Sequence, residues 1–115
     1  MLDDIAVEAF NTRTTHSIHD LKKLTTEQLD RVKLQGANAE ALLKNKDLAL
    51  FFHTAKFDLT DKLSAINGHS EEDNNKRIAI ANQLSGLNTF IDTLKQAVYL
   101  KNTVVKQQNA PTDQI

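Results

Sequence analysis

Four histidines bring the broadest side-chain chemistry to this chain, because imidazole can bind a metal ion or transfer a proton near neutral pH. His16 and His19 are three residues apart and would share one face of a helix. A histidine metal site also needs a third ligand and usually an ordered second shell, and Asp20 points to a different face. We therefore interpret this pair as polar surface residues. His53 lies off the apolar stripe of its own segment and is interpreted as a flank residue.

The segment "NGHSEED", residues 67–73, places His69 beside three acidic residues that could act with it in acid–base chemistry. Helix capping explains the same residues without chemistry. Gly68 can close one helix in the left-handed conformation, Ser70 can cap the next, and the helix dipole favours acids in the first turn. Because no nucleophile or oxyanion donor lies nearby in the sequence, we interpret the segment as a structural corner.

The remaining sequence adds no catalytic motif. Its three glycines are isolated, so they form no phosphate-binding loop, and neither a nucleophile elbow nor a zinc-protease helix occurs. The absence of cysteine excludes disulfides and thiolate zinc sites. With 14 basic and 15 acidic residues, the chain lacks the basic excess typical of nucleic-acid binding. We predict a protein that is not an enzyme, uses no cofactor or metal, and does not bind nucleic acid.

Targeting signals are also missing from the sequence. The opening "MLDDIAVEAF" carries acids where a signal peptide needs positive charge. The longest uncharged apolar run, "LALFFHTA", is too short to span a bilayer. We expect a protein that is neither secreted by a signal peptide nor inserted in a membrane.

Composition and capping signals predict a single all-α domain. Glycine and proline are scarce, and no period-two strand pattern occurs. In "LTTEQL", residues 24–29, Thr25 and Gln28 match a capping box, and Leu24 and Leu29 match the hydrophobic staple around it. The apolar face of the helix that follows is small in its middle, at Gly36, so another backbone could approach closely there. The full face comprises Leu29, Val32, Gly36, Ala39 and Leu43.

Two further apolar stripes complete a long antiparallel helical hairpin, residues 26–66 against 71–106. The first stripe follows a joint at Asn45, where the helix either kinks or continues, and comprises Leu48, Phe52, Ala55, Leu59, Leu63 and Ile66. The second comprises Ile80, Leu84, Leu87, Ile91, Leu94 and Val98, with a continuation towards Val105 and a close crossing or a bend at Gly86. Residues 1–24 are expected to form one or two short helices or an extended arm, and residues 107–115 a loose tail.

Three apolar residues stand on faces that a simple hairpin would leave in water: Leu50, Phe57 and Leu100. Leu50 and Phe57 are seven residues apart, so they align with each other on the side of their helix opposite the stripe. The N-terminal segment could cover the three through Ile18, Leu21 and Leu24. The alternative is a partner protein or a second copy of the chain, and we predict these three as partner-binding residues.

Residues 39–101 resemble small helical proteins encoded among the virion genes of tailed bacteriophages. Their pattern is "A-x-x-L-L-x-N", an apolar helix, a corner with an acid and an arginine, and "L-x-x-L-x-x-F-x-x-x-L". The matching positions are Leu42, Leu43, Asn45, Asp73, Arg77, Leu84, Leu87, Phe90 and Leu94. The resemblance implies a virion component or assembly factor and offers no catalytic residues.

Together these features favour a non-enzymatic structural or assembly protein that acts by protein–protein binding. The resemblance places it in the virion or the host cytoplasm, with a portal, capsid or tail protein as its partner, or with self-association. The alternative is a small intracellular adaptor or inhibitor that sequesters a partner protein.

Overall fold

The computed structural model describes residues 4–11 and 18–109, and the described residues contain helices and no strand. The elements are α1 (Asp4–Asn11), a 3-10 helix (Ile18–Lys23), α2 (Thr26–Leu43), α3 (Lys46–Ser64) and α4 (Glu71–Gln108). This order confirms the all-α prediction and the hairpin, with short helices preceding it. Residues 1–3, 12–17 and 110–115 lie outside the described part, as do His16 and most of the predicted tail.

The first arm of the hairpin is two helices, because side-chain caps begin each of them. The Thr25 hydroxyl accepts from the backbone of Gln28 (3.2 Å), and the Gln28 side chain accepts from the backbone of Thr25 (3.0 Å), which confirms the capping box. The Asn45 side chain accepts from the backbone of Leu48 at 2.9 Å and starts α3. The joint is therefore a true helix break at residues 44–45.

The corner before α4 is built differently from the prediction at one residue. Ser70 caps α4 in a second capping box, with Asp73 as the reciprocal partner. Gly68, however, does not adopt a positive φ. The prediction that this glycine closes the preceding helix in the left-handed conformation is therefore wrong. A side chain there would instead meet the Asp73 carboxylate, 2.1 Å from a Cβ at Gly68. Glycine is favoured at this corner because it leaves room for the capping carboxylate.

The three predicted apolar stripes all turn towards the hairpin interior. Every residue of the α3 and α4 stripes is half-buried, whereas Val32, Gly36 and Ala39 of α2 are buried. α4, at 38 residues about 57 Å long, packs more extensively against α2 than against α3. The Cα radius of gyration is 19.5 Å, whereas a compact domain of this length would have about 13 Å. The hairpin is an elongated molecule.

The best-packed core lies at one end, where the 3-10 helix joins α2 and α4. Leu21, Val32 and Val104 form its buried centre. Leu24, Leu29 and Leu100 pack around that centre. Leu100 is therefore covered within the chain, by the core that contains Leu21 of the N-terminal segment, as the N-terminal alternative predicted. The prediction of Leu100 as a partner-binding residue loses the exposure on which it depended. The side chains of Ile18 and His19 lie outside the described part.

The inward face of α4 shifts where it passes from α3 to α2. The stripe predicted to continue from Val98 to Val105 is interrupted, since Val104 is 1% exposed and Val105 is 38% exposed. A Cβ at Gly36 would lie 2.7 Å from the Ala97 carbonyl oxygen, which confirms the predicted close approach. α2 thus lies on a different side of α4 from α3, and Val104 rather than Val105 faces it.

Two remaining details of α4 concern Gly86, where a close crossing or a bend was expected, and the end of the helix. Gly86 has no neighbouring atom within 4 Å of where a Cβ would stand, so no close crossing with the described residues occurs there. The helix also extends two residues beyond the predicted end at 106, and the Gln108 side chain accepts a hydrogen bond from the Lys33 ammonium at 2.9 Å.

Candidate protein interface

The histidines do not come together with other ligands in the described residues. No group of three His, Cys, Asp or Glu side chains that could hold a metal ion occurs in that part of the chain. The His53 ring packs edge-on against Phe52, with 5.4 Å between ring centroids. His69 is exposed, and its carbonyl oxygen accepts from the Asn74 side chain at 3.5 Å. The hydroxyl of Ser70, next to His69, is engaged as the cap of α4 and accepts from the backbone of Asp73 at 3.1 Å.

Arg77 is the side chain that ties the corner to α4. Its guanidinium donates to the carbonyl oxygen of Ile66 (3.3 Å), to that of Gly68, and to the Asn74 side chain (2.7 Å). Carbonyls at the end of a helix lack partners within the helix, and a cation there is favoured by the helix dipole. The sequence offered Arg77 only as part of a motif, because its partners are 9 and 11 residues away.

The outer side of α3 carries large apolar side chains that stay exposed to solvent in the described structure. Leu50 is 61% exposed and Phe57 is 70% exposed. The described N-terminal elements do not cover them, in contrast to Leu100. Phe51, also 70% exposed, was missed by the sequence reasoning, although the run "LFF" could have signalled it. We call Leu50, Phe51 and Phe57 the α3 outer face.

Acidic side chains accompany the α3 outer face. At 100° per residue, Asp47, Asp58 and Asp61 fall on the strip between Phe51 and the Leu50–Phe57 line. None of the three forms an ion pair with another described residue. The surface therefore combines exposed apolar groups with unneutralised negative charge, and it complements a surface that is apolar and positively charged.

A shallow groove lies at the joint, on another side of the hairpin. Its volume is about 270 Å³, and Leu43, Phe52 and Ile91 form much of its floor. His53 and Lys95 supply its polar groups. The groove is small beside the roughly 300–1,000 Å³ of typical ligand pockets, and no set of converging polar groups accompanies it.

The Glu40 carboxylate holds α2 against α4 through ion pairs. The Lys101 ammonium donates to the Glu40 carboxylate across the two helices, and Lys44 contacts the same carboxylate at 3.1 Å. The hydrogen bond from Lys101, followed by that from Lys44, lowers the pKa of Glu40 below its ordinary value. The charge pair stabilises the helix pairing and lies outside any pocket.

Comparison of the chain with protein families, curated proteins and solved structures found no match. The resemblance to tailed-phage proteins stays a prediction. The function proposed below is based on the exposed apolar surfaces. No helix in the described part is long and apolar enough to cross a membrane.

Proposed function

We propose that this chain is a non-enzymatic binding protein, a tailed-phage virion component or assembly factor, which docks the α3 outer face on a portal, capsid or tail protein. The observation that carries the proposal is the exposure of Leu50 and Phe57 at 61% and 70% on a helix whose opposite side already packs against α4. The phage setting rests on the resemblance of residues 39–101 alone.

Energetics support a partner on this face. Full burial of a Leu or Phe side chain is worth about 1.5–3 kcal/mol. Interface anchors are usually a few large side chains near the centre of the contact, and the α3 outer face offers three of them in two turns. Because these side chains contribute little to the free chain, their burial is available for binding.

Charge indicates the kind of surface to which the helix binds. Asp47, Asp58 and Asp61 would repel an acidic partner and would attract Lys or Arg side chains around an apolar patch. Binding should therefore weaken as salt concentration rises, because rim charges are screened over about 10 Å at 0.1 M salt.

The alternative function is a small intracellular adaptor or inhibitor that sequesters a partner through the same face. Mass spectrometry of purified particles distinguishes the two. Many copies of the chain per particle support the virion function, whereas absence from particles supports the adaptor.

The test of the face is the double variant Leu50→Ser with Phe57→Ser, introduced into the phage that encodes the chain. The free energy of unfolding of the variant monomer should lie within about 1 kcal/mol of the wild-type value, because substitutions of exposed residues cost little. Its incorporation into particles should be lost. The matched control is Leu34→Ser, which removes a 63% exposed leucine from α2. Equal incorporation of the double variant and the control would contradict the proposed docking face.

A further inference from the structure

The two halves of the hairpin are packed to different depths. At the end that holds α2 and the 3-10 helix, Leu21 and Val104 are each 1% exposed. In the other half, α3 packs mainly on α4, and none of the 19 residues of α3 is buried. A pair of helices covers only one side of each apolar stripe, so the edges of the α3–α4 contact remain open to water.

One of these edges continues the surface on which α2 packs. Positions about five turns apart (~18 residues) share the same direction on a helix. Ala79, Gln83, Gly86 and Phe90 thus repeat the direction of Ala97, Lys101, Val104 and Gln108. The second set faces α2, as the approach of Gly36 to Ala97 and Lys101 and the hydrogen bond from Lys33 to Gln108 show.

The first set is uncovered in the described structure. Phe90 is 49% exposed, and the space over Gly86 is empty to 4 Å. The half of α4 that runs beside α3 therefore presents the continuation of an established helix-packing face without a helix on it.

Phe51 of α3 extends the same edge. Phe52 and Ile91 line one groove, which fixes the register of the two antiparallel helices. Phe51 and Phe90 each precede one of these residues. In antiparallel helices that face each other, a step of one residue back turns both side chains towards the same side. We use the name open edge for the surface formed by Phe51 of α3 and by four residues of α4: Ala79, Gln83, Gly86 and Phe90.

We propose that the open edge binds the open edge of a second copy, so that two α3–α4 pairs form a four-helix bundle. The continuity of this edge with the α2-packed face of α4 indicates that it is shaped for another helix. A twofold pairing sets the same patch against itself, so its charges must tolerate each other.

The charges beside the open edge meet that condition. Helical register places Asp58 and Lys62 beside it on α3, and Glu72 and Lys76, which form an ion pair at 3.4 Å, beside it on α4. Each helix contributes one acid and one base, which favours self-pairing. The α3 outer face shares Phe51 and Asp58 with the open edge, but its Leu50 and Phe57 lie about 100–120° further round α3. Its two other aspartates, Asp47 and Asp61, make that side of the helix more acidic and suit a cationic partner.

The exposed apolar area of the open edge matches the small interface of a weak dimer. Each phenylalanine ring can bury about 150–250 Å², so the exposed parts of Phe51 and Phe90 in two copies provide roughly 500 Å². A standard interface buries about 1,200–2,000 Å² in total, a little over half of it apolar. The exposed side chains of Ala79 and Gln83 and the flanking charged groups add polar and apolar area to this amount. We expect association at micromolar or higher concentration.

The test is the solution mass, measured by sedimentation equilibrium from about 1 μM to 1 mM. The wild type should rise from 12.9 kDa towards twice that mass. Gly86→Gln should remain monomeric while its dilute monomer unfolds at a higher temperature, because glutamine is a better helix former than glycine. Loss of the dimer in that variant therefore cannot come from unfolding. Phe90→Ser should raise the dissociation constant at least tenfold.

Two controls separate this edge from other surfaces. Ile78→Ser removes a 59% exposed residue of α4 that lies off the open edge, and it should dimerise like the wild type. The Leu50→Ser, Phe57→Ser double variant should do the same, so failure of the proposed docking face leaves this result unchanged. A wild type that stays at 12.9 kDa throughout, or a Gly86→Gln variant that dimerises normally, would overturn the proposal.

Discussion

At the scale of single residues, the three glycines have three different physical situations. Gly36 is required by the backbone of α4, which lies too close for any side chain. Gly68 leaves room for the Asp73 carboxylate of the capping box. A Cβ at Gly86 would meet no atom of the described chain within 4 Å beyond the adjoining backbone of α4. The sequence could predict the close approach at Gly36 from its place on an apolar face, but the reason for Gly68 depends on a side chain five positions later.

These situations predict opposite effects of one substitution at two helix positions. Gly36→Ala should destabilise the chain by about 1–3 kcal/mol or more, because its Cβ would stand 2.2 Å from the Cβ of Lys101. Gly86→Ala should stabilise the dilute monomer by up to about 1 kcal/mol, because its Cβ enters open space. Urea unfolding at low protein concentration measures both. Equal effects at the two sites would mean that α2 and α4 are not in close contact.

At the scale of helices, the elements and their inward faces were predictable, whereas the shift of the α4 face was not. Caps at Thr25, Asn45 and Ser70 are local signals read over three residues. The choice of Val104 over Val105 as the buried residue depends on where α2 crosses, a contact between residues more than 60 positions apart. Periodicity alone extends a stripe in a straight line and cannot report such a crossing.

The unequal packing of the two halves predicts unequal costs for the same truncation. Leu21→Ala removes a side chain that is 1% exposed and should cost about 2–5 kcal/mol. Leu87→Ala, and Ile91→Ala beside it, remove half-buried side chains and should cost roughly half as much. Chemical denaturation of the three variants tests this order. A larger loss at Leu87 than at Leu21 would place the main core in the α3–α4 half.

The Glu40–Lys101 pair predicts a pH dependence of stability. The folded chain lowers the pKa of Glu40 from its ordinary value of 4.5. The stabilisation is therefore complete above that value and is lost as pH falls through the lowered pKa, because the unfolded chain then binds the proton more readily. Glu40→Gln should remove this part of the acid destabilisation, measured as the urea midpoint across pH 6 to 2.5.

The control for this pH dependence is Glu27→Gln. Glu27 also forms an ion pair, with Arg31 at 2.8 Å, but both side chains are largely exposed and lie on one helix. Such pairs contribute little to stability. If both variants kept the acid transition of the wild type, the Glu40 pair would not be its source.

At the scale of the whole molecule, an elongated hairpin has much surface for its mass and keeps its apolar groups at the edges. The position of Leu50 and Phe57 off the hairpin seam follows from periodicity alone, and both side chains are exposed in the structure. Periodicity could not show that Leu100 is packed while Leu50 and Phe57 are exposed, because this depends on where the 3-10 helix lies on α4. The binding function that we propose rests on this exposed pair.

The central claim, that the α3 outer face is the surface buried by a partner, can be measured directly by hydroxyl-radical footprinting. Under the proposed virion function, Phe57 and Leu50 should be oxidised readily in the free chain and protected at least several-fold in purified particles. Ile78, which is 59% exposed on α4, reports surface outside that face and should react alike in both states. Protection of Leu50 and Phe57 with Ile78 unchanged is the result we predict. Equal oxidation of Phe57 in free and assembled chains would contradict the account.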